Sequence, residues 1–71
     1  MRYLVVIEKG PRGYGAYVPD LPGCVAVGDT EDEVRQLIRE AVELHIEDLR
    51  NRGQSVPTPS SASEYVEATV A

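Results

Sequence analysis

The sequence predicts an α+β domain: a three-stranded antiparallel meander, one helix, and a fourth strand parallel to the first. Three observations predict this β-β-β-α-β order. Short strand-forming runs separated by Gly/Pro turns fill the first 28 positions, a single long run with helical periodicity follows, and a last strand-prone run occupies Glu64 to Val70. A crossover helix returns the last strand parallel to the first, so the spatial order is 3-2-1-4, with the Tyr3–Ile7 strand central and the helix on one sheet face. With 71 residues, residues 1–71 are expected to form a single domain.

Tyr3 to Ile7 is apolar without a break and rich in residues that favour extended backbone, as befits a strand covered on both sides. Lys9 to Gly13 is a turn built on Gly10, Pro11 and Gly13, and Tyr14 to Val18 then alternates, with Ala16 and Val18 on one side and Tyr17 on the other. The two runs make a hairpin. Pro19-Asp20-Leu21-Pro22-Gly23 is the densest turn signal, because each proline fixes its own φ and drives its predecessor toward extended geometry. Cys24 to Val27 is a short edge strand, ended by Gly28.

Thr30 followed by Glu33 is a capping box, and Asp29, Glu31 and Asp32 add negative charge where the helix dipole is positive. Val34, Leu37, Ile38, Ala41, Val42, His45 and Leu49 recur at spacings of three and four and form one apolar stripe. Arg50, Arg52 and then Gly53 end the helix, which is expected from Glu31 to Asn51 or Arg52. On its outer face Glu31–Arg35 and Arg39–Glu43 are spaced as ion pairs, each worth about 0.2–0.5 kcal/mol. Val56 to Ser63 is a polar, proline-containing connector to the last strand.

Charge narrows the function. Twelve acidic against seven basic side chains leave a formal charge of −5, which repels phosphate backbones and suits covering the basic surface of a protein that binds nucleic acid. The single cysteine, Cys24, allows no internal disulfide. The MRYLVVIEK start is too short in its apolar run for a signal-peptide core, and no stretch nears the roughly 20 apolar residues of a membrane span. A cytoplasmic location is expected.

The residues offer little chemistry. His45, the one histidine, lies on the apolar stripe, where a packed core-edge residue explains it better than a general base. Cys24 reads as a small buried hydrophobe, and one His with one Cys does not supply a zinc site. The acidic cluster at Asp29 to Glu33 is explained by helix capping. Gly10 to Gly15 lacks the following helix and the lysine of a phosphate loop. No catalytic residue, metal ligand or cofactor is expected, and Asp20 and Asp29 lie in separate loops without a third carboxylate for a metal-dependent nuclease. Tyr3, Tyr14, Tyr17 and Tyr65 all fall in expected strands, and tyrosine suits a surface that meets another protein.

Tyr3 and Val5, then Tyr17-Val18-Pro19-Asp20-Leu21-Pro22-Gly23-Cys24, Gly28-Asp29-Thr30 with Glu33, Arg39-Glu40-Ala41, and Val56-Pro57-Thr58-Pro59 together resemble the HicB-like antitoxin family over nearly the whole chain. The resemblance implies a partly degraded RNase H-like domain that neutralises a HicA-type toxin, a small basic ribonuclease that cuts mRNA, by covering its active site. It makes Pro19, Asp20, Leu21, Pro22, Gly23, Cys24, Gly28, Asp29, Thr30 and Glu33 a structural motif without catalytic duty. Longer members continue into a DNA-binding domain, which is not expected here, and no direct nucleic-acid contact is expected either. Tyr14, Tyr17, Asp20, Glu43, Glu47 and Tyr65 are the candidate partner-binding residues, and self-association is expected because short edge strands and an open sheet face need cover. The alternative is a homo-oligomeric ligand-binding or regulatory module with no toxin partner.

Overall fold

A computed structural model gives the fold and describes residues 1–70. Its elements are β1 (Val6–Gly10), β2 (Gly13–Tyr17), β3 (Val25–Gly28) and α1 (Glu31–Asn51). The strands form one antiparallel sheet in the order β1-β2-β3. Val6 pairs with Tyr17 at one end of the hairpin and Gly10 with Gly13 at the other, while β2 continues into β3 through Tyr14↔Gly28 and Tyr17↔Val25.

The expected fourth strand is absent: residues 64–70 pair with nothing and are exposed throughout. The fold is therefore a three-stranded antiparallel sheet with one helix, and the 3-2-1-4 order with a central first strand is overturned. The cause lies upstream of the segment. The chain leaving α1 is held by Tyr3, whose hydroxyl donates to the Pro57 carbonyl, and by Asp20, which takes Ser60 and Ser61. Beyond these anchors the backbone makes no ladder with β1, so β1 is an edge strand.

Two strand boundaries also move. β1 begins at Val6 because β2 ends opposite it at Tyr17, leaving Tyr3 to Val5 without a ladder partner. β3 begins at Val25 because Cys24 closes the preceding loop instead, its N–H donating to the Leu21 carbonyl and its own carbonyl accepting from Val18.

The helix matches its signals closely. Thr30 is extended (φ −126°, ψ 162°) and its hydroxyl accepts from the Glu33 N–H at 3.1 Å. The reciprocal bond of a capping box, from Thr30 N–H to the Glu33 carboxylate, is not formed among the described residues; the Glu33 side chain lies near Gly28 instead. At the far end Gly53, at φ +69°, donates to Arg50 and Gln54 donates to Leu49, a Schellman closure that uses glycine's left-handed freedom. Of the two expected ion pairs Glu31–Arg35 forms at 2.9 Å; the second pair is Asp48–Arg52, not Arg39–Glu43.

The core is Ala16, Val18, Leu21, Cys24, Val34 and Ile38, with Tyr3, Val5, Ile7, Tyr14, Ala41, Val42 and Ile46 packed against it. The apolar stripe of α1 is thus rotated slightly from expectation. Ile46 joins the core, whereas Leu37 lies at its exposed margin. The other sheet face carries Tyr17, Val25 and Val27, all exposed. No helix is long and apolar enough to cross a membrane among the described residues.

Candidate functional site

The Pro19–Cys24 loop is the most heavily built part of the molecule. Its backbone closes on itself through Val18 N–H to Cys24 O (3.1 Å), Leu21 N–H to Val18 O (3.1 Å) and Cys24 N–H to Leu21 O (3.0 Å). These bonds turn Leu21 and Cys24 inward into the core and leave Pro19, Pro22 and Gly23 outside. Burial pushes the Cys24 thiol up from its ordinary pKa, keeping it protonated and unreactive.

Asp20, on the outer side of this loop, is the anchor of the connector. Its carboxylate accepts from Ser61 N–H (2.9 Å), Ser60 N–H (2.9 Å), Ser61 Oγ (2.8 Å) and Ser60 Oγ (3.1 Å). The Ser61 backbone N–H, followed by that of Ser60, holds the carboxyl at a pKa of about 2, below the ordinary 3.8. No sequence signal paired residues 40 positions apart, although a PDLPG turn and a Ser-Ser pair after prolines each invite such bonding.

Because the folded pKa lies below the unfolded one, the clamp's contribution is complete above about pH 4 and is lost as pH falls through about 2. NMR titration should find the Asp20 carboxyl near pH 2, and Asp20→Ala should speed hydrogen exchange at the Ser60 and Ser61 amides while leaving those of α1 unchanged. An ordinary titration near 3.8, or unaltered Ser60 and Ser61 exchange in the variant, would show that the clamp is not formed.

Beside the clamped connector, Tyr3 and the second half of α1 bound an open groove of about 590 Å³. Its floor is Tyr3, Val42 and Ile46, and its helix side carries Glu43 and Glu47 with Arg50 below them. An apolar floor with carboxylates on its rim suits a partner segment bearing an apolar anchor and basic flanks. A second groove of about 670 Å³ lies at the hairpin end, where Lys9 and Arg12 face Asp29 and Glu33 around Gly13 and Gly28. Its charges are of both signs, and it offers no single ligand chemistry.

The candidate partner-binding residues fall on separate surfaces. Glu43 and Glu47 share the groove; Tyr17 stands on the open sheet face; Tyr65 is free in solvent; Asp20 is engaged by the connector; Tyr14 packs against the core. Of the four tyrosines, only Tyr14 and Tyr17 are in strands. Asp20 and Asp29 are at opposite ends of the sheet, since one follows the Tyr17–Val25 end and the other the Tyr14–Gly28 end. Among the described residues no group of three or more His, Cys, Asp or Glu side chains is placed to hold a metal ion.

Comparison with known proteins gives this geometry a family. The chain is 36% identical over 69 residues to a UPF0150 protein of Thermoplasma acidophilum, covering 96% of this chain and all of that one. It is also 36% identical over 66 residues to an uncharacterised 14.9 kDa protein of Haemophilus phage HP1, covering 93% of this chain but only 50% of the phage protein's length. Among solved structures it resembles a chain of a HicA3 and HicB3 toxin-antitoxin complex, at 35% identity and a TM-score of 0.73 over 84% of this chain and 70% of that one. The model of the HicB-like antitoxin of bacterial toxin-antitoxin systems matches residues 3–70, the stretch that holds the clamped loop, the sheet and the helix, and the chain belongs to that family.

Proposed function

We propose that the protein is an antitoxin that binds a HicA-type toxin, a small basic ribonuclease, and inhibits it by covering its active site. The observation that carries this reading is the likeness, in both sequence and backbone, to a chain of a toxin–antitoxin complex. A formal charge of −5 complements a basic partner and steers its approach. The work is done without chemistry: steric cover and charge pairing suffice. On this reading the protein acts in the cytoplasm, where mRNA is cut.

The Tyr3–Val42–Ile46 groove with Glu43 and Glu47 is the surface best suited to the toxin. Reversing both charges, Glu43→Lys with Glu47→Lys, should weaken binding to a HicA-type toxin by at least about 10-fold, or ~1.4 kcal/mol. The loss should shrink as salt is raised. Calorimetric titration checks it, with mRNA cleavage as a second readout. Full affinity in the double variant would move the interface elsewhere, and failure of any small basic ribonuclease to bind the wild-type chain would sink the antitoxin reading.

A further inference from the structure

We infer that the 64–70 segment is a donated strand, which pairs with the open edge of β1 in a second copy of this chain, and that the exchange is reciprocal. This goes beyond the antitoxin reading and does not require a toxin. Within one chain the segment forms no strand; the pairing lies between chains.

The donor is an unsatisfied strand. Tyr65, Val66, Thr69 and Val70 favour extended backbone, and alternation sets Val66, Ala68 and Val70 on one side and Tyr65, Glu67 and Thr69 on the other. Yet Tyr65 is 102%, Val66 78% and Val70 91% exposed. Three large apolar side chains fully in water within seven residues is the composition of an interface rather than of a solvated linker. The segment also leaves the body from a fixed root, because Ser60 and Ser61 are held by Asp20, and Pro57 by Tyr3. Its projection shows in the dimensions: the molecule is 53 Å long with a radius of gyration of 14.3 Å, against about 11 Å for a compact chain of this size.

The acceptor is in the same molecule. β1 is the edge of the sheet, bonded on one side only, and the apolar residues Tyr3 to Val5 that lead into it have no ladder partner at all. An open edge next to apolar residues invites another strand. Charge agrees as well. Residues 2–12 carry Arg2, Lys9 and Arg12 against the single Glu8, while 64–70 carries Glu64 and Glu67 and no basic residue. The chain's own segment is not the occupant, since it runs beside Arg2 to Val5 only as far as Ser63 and then departs. A second copy supplies both halves at once: each molecule has one donor and one β1 edge, the opposite edge β3 being only four residues long, and a two-fold exchange satisfies both β1 edges and closes the assembly.

The test uses the full chain without toxin. Light scattering across a dilution series should show a dimer, and hydrogen exchange should show protection of the 65–70 amides and of β1 that falls on dilution. Val66→Pro removes a ladder donor from the middle of the donated strand and touches nothing in the folded body, so it should weaken dimerisation at least about 100-fold with the helical circular dichroism unchanged. Val66→Ile should dimerise like wild type. A wild-type chain that stays monomeric at all concentrations overturns the inference. So does a dimer that survives Val66→Pro with its 65–70 amides still exchanging at the open rate, which would assign self-association to the Tyr17–Val25–Val27 face. Protection of those amides in a monomer would equally overturn it.

Discussion

Leu21→Ala should cost about 2–5 kcal/mol and lower the melting midpoint by about 10–30 °C. Leu21 is 0% exposed and sits with Val34 among the fully buried side chains. Truncation removes its transfer energy and leaves a cavity, and here the cavity cannot readily collapse. The loop backbone is tied on both sides of the residue by the Leu21–Val18 and Cys24–Leu21 hydrogen bonds. The fraction lost is what makes the effect large, since a domain of this length has about 4–11 kcal/mol of stability in total. Thermal and urea unfolding followed by circular dichroism check the value. Leu44→Ala is the contrast: that leucine is 66% exposed on α1 and its loss should stay within about 0.5 kcal/mol. A Leu21→Ala protein that melts within about 3 °C of wild type would show that the loop is a surface ornament and not part of the core.

The same loop shows what sequence reasoning reaches and where it stops. Local rules served best where partners are near in sequence, although the Arg39–Glu43 pair and the second bond of the capping box did not form among the described residues. Thr30, three residues before Glu33, caps the helix through the Glu33 N–H, Gly53 closes it, and the Tyr14–Val18 alternation put Ala16 and Val18 on one side, which is the buried one, and Tyr17 on the other. The family likeness likewise rested on local strings such as Pro19 to Cys24, and it held.

What failed was long-range. The composition of 64–70 says extended and partly buried, and it is silent on which chain or edge does the burying. Asp20 reads as a turn residue, yet its four bonds reach the connector and decide where the chain goes after the helix. A continuous apolar run from Tyr3 to Ile7 suggested a central strand, but the same run serves an edge strand whose outer side is uncovered in the single chain. The candidate partner-binding residues divide along the same line between near and distant neighbours. Glu43 and Glu47 are one helical turn apart and so came together, while Tyr17 on the open sheet face and Tyr65 in the unpaired 64–70 segment share no surface in the single chain.

Substituting the glycines where the hairpin meets the helix start should separate close-approach positions from merely extended ones. A Cβ on Gly13 would stand 2.6 Å from the Gly28 carbonyl oxygen, and one on Gly28 would stand 3.0 Å from the Val34 nitrogen and 3.3 Å from its Cα. The obstacles are backbone atoms of β3 and of the first helical turn, so relief requires the sheet and helix to part. Gly13→Ala and Gly28→Ala should therefore each destabilise by about 1–3 kcal/mol, with Gly13→Ala the more severe because its contact is shorter and its φ of +154° sits at the border of the glycine region. The double variant should fall short of the sum, since relief of either clash moves the Gly28 backbone, which lies between Gly13 and the first turn of α1. Gly15→Ala reverses the sign. A Cβ there meets nothing closer than the Ala26 carbonyl oxygen at 4.0 Å, and restricting the unfolded chain should make that variant more stable by about 0.4–1 kcal/mol. Urea midpoints for the three single variants give the ranking directly, and a Gly28→Ala protein as stable as Gly15→Ala would mean that helix and sheet are not packed as closely as the Gly-Asp-Thr corner requires.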